Sequence, residues 1–266
     1  MKKIVFVSIV LLLFSDLLTA QDDKRFRIGF KFNPNISWMR PDAKEITSNA
    51  SVIRFGFALN LDKHFTENYA FGTGLNVFQT GGELSYLEYA QVSGNATMLE
   101  RTREYRLQYA EVPLTLKLRT NEIGYITYWG QFGLGLGVNI RANADESVDY
   151  LLVRGEDGPD PDGLNDWNES TQVSFSEEDV DIKNDISIFR ASLIIGGGIE
   201  YNISGSTSLL IGVTFNNGFT DVLQNNGVKT DETDEPVLEG IDDNNPVEYK
   251  LKSITNHVEL NIGILF

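Results

Sequence analysis

Period-two alternation of apolar and polar residues, repeated about eight times, constrains this fold more than any other property of the chain. It runs through Phe26–Phe32, Ile53–Leu61, Tyr69–Val77, Val112–Leu118, Phe132–Ile140, Phe189–Ile199, Leu209–Phe215 and Val258–Phe266. Alternation of this kind places every second side chain on one face of a β-strand, and helical spacing fits none of these stretches. The clearest case sets Phe132, Leu134, Leu136, Val138 and Ile140 against Gln131, Gly133, Gly135, Gly137 and Asn139.

Two-faced strands can close around an apolar interior, as in soluble ligand-binding barrels, or around a polar one, as in membrane barrels. Residue size decides between them. The polar face is crowded with Gly, Ala, Ser, Asn and a few charges, which suits a cramped lumen, while the other face is almost unbroken Leu, Ile, Val and Phe. That face cannot meet water, but it can meet lipid, where a closed barrel leaves no backbone edge unpaired. Connections 62–68, 119–124 and 202–206 are short and the intervening ones long, the alternation expected of periplasmic turns and extracellular loops. Phe26, Tyr69, Phe71, Tyr125, Tyr128, Tyr201 and Phe266 gather at the short-turn ends, as an inner interfacial aromatic girdle should. The expected fold is therefore all-β: an eight-stranded antiparallel up-and-down transmembrane β-barrel.

The first twenty residues stand apart. Lys2 and Lys3, an apolar run from Ile4 to Leu13 and a Leu18-Thr19-Ala20 end read as a signal peptide (1–20) preceding a barrel at 21–266. Export of this kind places the barrel in the outer membrane of a Gram-negative cell envelope. The chain has no cysteine, which excludes disulfides, thiolate metal sites and a cysteine nucleophile. A net charge of −16 argues against a nucleic-acid partner.

Tyr109-Ala110-Glu111-Val112-Pro113-Leu114-Thr115-Leu116-Lys117, the Gly-rich strand Gly130–Val138 and the Val258–Phe266 ending together resemble the PorT-like outer-membrane β-barrel family. The resemblance implies an eight-stranded barrel, with some members linked to protein secretion or gliding, and transfers no catalytic residue. The insertions at 141–186 and 217–250 depart from that pattern. They read as long acidic loops, with 14 acids against 3 bases and 9 against 2.

The inward face offers Arg27, Lys31, Arg54, Lys117 and Arg190 beside Glu111, Glu200, Glu259 and His257. Eight strands leave room only for side chains, so these charges are expected to form an ion-pair network in a closed lumen. Ser85–Ala90 and Met98–Leu107 flank a Ser93-Gly94-Asn95 turn, which points to a hairpin continuing above the membrane. Asp160, Asp162 and Glu169 fall at ligand positions of a calcium-loop pattern whose first position is Gly158, so diffuse, weak Ca²⁺ or Mg²⁺ association with the acidic loops is expected rather than one tight site. His64 and His257 are the only candidate histidine bases, and no signature serine accompanies them. Asn35-Ile-Ser37 and Asn95-Ala-Thr97 match glycosylation sequons by coincidence in a bacterial chain.

The function expected is that of a non-enzymatic, cofactor-free barrel. It would be structural or adhesive, or associated with envelope assembly or secretion, acting through its extracellular loops. Partners would be outer-membrane lipid and lipopolysaccharide, the barrel-assembly machinery and an envelope protein. The competing readings are a small diffusion channel, a lipid-modifying enzyme and a soluble secreted ligand-binding barrel.

Overall fold

The computed structural model describes residues 26–44, 46–92, 95–153, 170–224, 226–228 and 248–266 of the chain. The expected signal peptide and the calcium-loop pattern at 160–169 lie outside them. Among the described residues twelve strands follow one another: β1 (Phe26–Pro41), β2 (Ile46–Ala50), β3 (Val52–His64), β4 (Tyr69–Val92), β5 (Asn95–Arg119), β6 (Ile126–Val153), β7 (Ser170–Asp181), β8 (Phe189–Ser204), β9 (Thr207–Gly218), β10 (Asn226–Val228), β11 (Glu248–Lys250) and β12 (Ser253–Leu265). A short 3-10 turn, Lys183–Asp185, separates β7 from β8.

Eight of these strands form a closed antiparallel ring in the order β1-β3-β4-β5-β6-β8-β9-β12, and β12 pairs back with β1 through Phe32↔Ile262 and Ile36↔Val258. Closure satisfies every edge of the ring, which is what a sheet immersed in hydrocarbon requires. The outer wall is the apolar face of the alternation: Phe57 and Ile53 are each 65% exposed, and Phe30, Leu75, Leu114, Leu136, Ile195, Val213 and Leu260 face out beside them. On β12 this belt runs from Val258 to Phe266, the length a tilted strand needs to cross the hydrocarbon layer. At the short-turn end stand Tyr69, Tyr125, Tyr128, Tyr201 and Phe266, all exposed, with half-buried Phe26 and Phe71. Tyr125 and Tyr201 have ring centroids 6.3 Å apart.

The segment 141–186 is not simply a loop. β6 continues to Val153, and β7 returns along it with pairs such as Val148↔Phe175. β4 and β5 likewise stay paired to Val92↔Asn95, and β2 adds to β4 through Ile46↔Tyr86. A sheet in the order β2-β4-β5-β6-β7 thus rises from one side of the ring as a collar above the lipid belt. Within 217–250, β10 and β11 form a separate short pair, Gly227↔Tyr249.

The collar has its own core. Met39, Phe78, Leu84, Tyr86, Tyr105, Leu107, Tyr109, Ala142 and Ala144 from the strands pack with Ile182, Ile186, Val222, Leu223 and Leu251 from the connections. Polarity therefore inverts along single strands. The inward face of β5 is Lys117, Thr115 and Glu111 within the belt, then Tyr109, Leu107 and Tyr105 above it. On β6 the register with β5 shifts between Tyr109↔Asn139 and Gln108↔Arg141, leaving Ile140 as an extra residue. Such a bulge changes which residues face inward. Below it Gly135 and Gly137 line the lumen, and above it the buried residues are Ala142 and Ala144.

Candidate functional site

At the short-turn end of the lumen Glu200 on β8 collects three cations. Its carboxylate lies 2.6 Å from Arg27, 2.8 Å from Lys117 and 2.8 Å from Arg119. Lys117 also reaches Asp62 at 2.8 Å and sits 5.3 Å from the centroid of the Trp129 ring. These strands converge because each contributes an inward residue near the end of its belt, where Arg27↔Asp62 are direct partners across β1 and β3. Trp129 fills the remaining cross-section with Leu210 and Leu265, lying against Gly212, where any side chain would collide with its ring.

Midway, Lys31 donates to Asn261 Oδ1 at 3.0 Å and Asn33 donates to Glu259 at 3.2 Å. A cavity of about 30 Å³ lies here among Lys31, Asn60, Asn76, Thr115, Glu111 and Glu259. That is room for about one or two waters and nothing larger. Above it Arg190, fully buried, donates to Glu111 at 3.0 Å, to Thr255 Oγ1 at 2.9 Å and to Asn216 Oδ1 at 2.7 Å. Phe78 and Tyr109 flank its guanidinium at 5.6 and 5.8 Å, so the charge is covered by two aromatic rings as well as a carboxylate. His257 is packed 4.8 Å from Phe78, and His64 lies at the other end of the barrel, 3.1 Å from Arg119.

The charged side chains of the inward face thus fall into separate groups along the axis rather than one continuous network. Arg54 departs from them. It stands near the external end of β3 and reaches Glu104 of the collar at 2.6 Å. Asp62 and Arg119 join the lumen instead, and the sequence reading missed both because it ended β3 and β5 before them. With them the interior holds Arg27, Lys31, Lys117, Arg119 and Arg190 against Asp62, Glu111, Glu200 and Glu259.

In the collar, Arg103 pairs with Glu146 at 2.7 Å and with Asp185 at 2.8 Å, Arg101 pairs with Glu146, and Arg106 with Asp145. These bridges tie β5 to β6 and to the 3-10 turn. Among the described residues no cluster of acidic or histidine side chains is arranged to hold a metal ion.

A filled polar lumen inside a lipid-facing ring is the arrangement of a small outer-membrane barrel, and the family comparison decides the point. The family described as outer membrane protein beta-barrel domain matches residues 19–224. The chain belongs to this family. This outer-membrane barrel is also similar to solved structures of neisserial surface protein A, with 11% identity over 90% of this chain and 95% of that one, TM-score 0.45. Ail, the attachment invasion locus protein of Yersinia pestis, gives 13% identity over 91% and 99%, TM-score 0.35. OprG from Pseudomonas aeruginosa gives 9% over 91% and 96%, TM-score 0.40. Likeness at this level carries no role across to the outer-membrane barrel described here. No curated protein matches the chain.

Proposed function

We propose that this outer-membrane barrel is a non-conducting, non-enzymatic anchor whose collar presents a rigid docking surface to an envelope or host-surface partner, in adhesion or in secretion-linked assembly. The observation that carries the reading is continuity: the sheet that crosses the lipid belt runs on above it as paired strands with a buried apolar core. Binding surfaces on rigid scaffolds avoid the entropy lost when a mobile loop is ordered. The lumen argues in the same direction, because Glu200 with its three cations, Trp129 and the Arg190–Glu111 pair fill its cross-section on either side of a cavity of about 30 Å³. The resemblance of Tyr109–Lys117 to the PorT-like family favours the secretion-linked form of this role over simple adhesion.

Two experiments test it. Purified protein in planar bilayers should pass no ohmic current, and porin-sized steps would instead establish the diffusion-channel reading. Replacing residues 83–104 with a two-residue turn should leave a heat-modifiable barrel in the outer membrane while abolishing the attachment or secretion phenotype of the parent. A parent-like phenotype in that variant would sink the docking role.

A further inference from the structure

The outer surface of the wall formed by β4, β5 and β6 changes character over one row of residues. Val77↔Ala110↔Val138 is the last apolar row, and the next outward row is Gln79↔Gln108↔Arg141. Gly81↔Arg106↔Asn143 follows, and only the row above it, Glu83↔Glu104↔Asp145, is acidic. The bulge at Ile140 creates this arrangement, because it lets Ile140 end the lipid belt while its neighbour Arg141 also faces outward. Gln79, Gln108, Arg106, Arg141, Asn143 and Asp179 line an open cavity of about 160 Å³ at this level.

We propose that this cavity binds a phosphorylated headgroup of an outer-leaflet lipid, with Arg141 as the principal phosphate ligand and the Gln79 and Gln108 amides as donors beside it. Its height selects the occupant, since a lipid whose chains lie against Val77, Ala110 and Val138 brings its headgroup to the row immediately above. Its charge selects the headgroup: the row nearest the lipid carries one cation and no acid, and the cavity lining as a whole sets Arg106 and Arg141 against the single carboxylate of Asp179. Arg106 is held by Asp145 and is 3.8 Å from Asp179, so its guanidinium is fixed in place at the back of the cavity. Arg141 donates through Nε to Asn143 Oδ1 at 3.0 Å, and its terminal nitrogen makes only a longer contact, 3.5 Å to Asp179, between side chains that are 62% and 56% exposed. It exchanges that solvated contact for a phosphate at little cost, because exposed ion pairs are weak, while a guanidinium meets phosphate oxygens in a bidentate fork. Basic recesses at the membrane border recognise anionic headgroups by the same chemistry.

The test is native mass spectrometry of the detergent-purified protein with bis-phosphorylated lipid A, its dephosphorylated form, and inorganic phosphate as competitor. A 1:1 adduct with the phosphorylated lipid is expected, reduced at least tenfold in Arg141→Glu and severalfold in Gln108→Leu. Heat-modifiable mobility identifies each variant as a folded barrel, and Gln108→Leu keeps the test decisive if Arg141→Glu does not assemble. An adduct equally abundant with the dephosphorylated lipid, or undiminished in both variants, would overturn the proposal. Displacement of the lipid by millimolar inorganic phosphate would overturn it too, by showing a site for free phosphate instead.

Discussion

Glu111 on β5 and Arg190 on β8 meet 3.0 Å apart although β6 lies between their strands. Both are direct cross-strand partners of Gly137, and the pair closes over the gap its missing side chain leaves. Gly135, one inward position further along β6, is the more tightly committed of the two, since a Cβ there would stand 2.5 Å from the Glu111 carboxylate and 2.6 Å from Ser192 Oγ, whereas one at Gly137 would meet nothing nearer than 3.6 Å. The glycine-rich strand is thus the socket that lets a buried ion pair form across it.

Removing one partner of that pair should cost far more than removing both. Glu111→Ala is expected to destabilise the barrel by about 3–5 kcal/mol, because Arg190 is left buried without its carboxylate partner. Arg190→Met with Glu111→Leu should recover much of the loss. Urea unfolding from lipid vesicles, run as a double-mutant cycle, measures both. Equal losses in the single and double variants would contradict the account.

Gly212→Ala should overpack the lower lumen, because the new methyl meets the Trp129 ring. The expected loss is about 1–3 kcal/mol. Trp129→Leu in the same chain should relieve it, and vesicle unfolding again gives the comparison.

The collar should open independently of the membrane ring. Leu107, fully buried in the collar core, gives a hole on replacement by Ala that costs about 2–5 kcal/mol. Hydrogen exchange in nanodiscs should quicken at 99–109 and 142–153 and stay slow at 258–266. Uniform acceleration over both regions would show a single cooperative unit instead.

High pH should act on the collar through Tyr105. Burial, reinforced by Tyr86, pushes its hydroxyl well above the ordinary tyrosine value of 10.0, while the nearby Arg103 opposes the shift. In the unfolded chain the phenol ionises near 10, so between that value and the raised one the unfolded state alone loses its proton. The stability Tyr105 contributes is whole below pH 10 and is lost as pH rises toward its folded value. Chemical unfolding of the collar, followed from pH 8 to 12, should show the decline, and Tyr105→Phe should flatten it.

Divalent cations should associate with the acidic segments without saturating. Residues 141–186 carry 14 acids against 3 bases, a charge density that attracts Ca²⁺ without a defined ligand set. Titration calorimetry should give weak heats with no 1:1 endpoint, unchanged by Asp160→Ala with Asp162→Ala. A micromolar stoichiometric isotherm abolished by that double change would reverse the expectation.

The parts of this fold that face lipid were legible in the sequence, because hydrocarbon tolerates no polar side chain and so imposes strict alternation on Phe132–Ile140 or Val258–Phe266. The collar was not. Above Ile140 the outward face meets water and fills with Arg141, Asn143 and Asp145, while the dry positions shift by one residue to Ala142 and Ala144. A composition dominated by acids then reads as loop even where the backbone is a paired strand. Asp62 and Arg119 were hidden for a related reason, since polar residues at strand ends look like turns until the register shows them facing Lys117 and Glu200. Phe78 followed an apolar Val77 and broke the alternation, so its place against Arg190 and His257 had no local signal.

Gln79 to Val92 of β4 lies beyond the last apolar row and stays paired with β5 throughout. At the usual rise of a strand this is roughly 45 Å of contour, before tilt and twist shorten it. The last described pair of this hairpin, Val92↔Asn95, is therefore held as its tip at a set distance from the bilayer, past the headgroups and into the layer where surrounding saccharide chains extend. A macromolecule meeting this cell would touch that tip before it touched any lipid, and the stiffness of the paired strands would pass the force of that contact directly to the ring below.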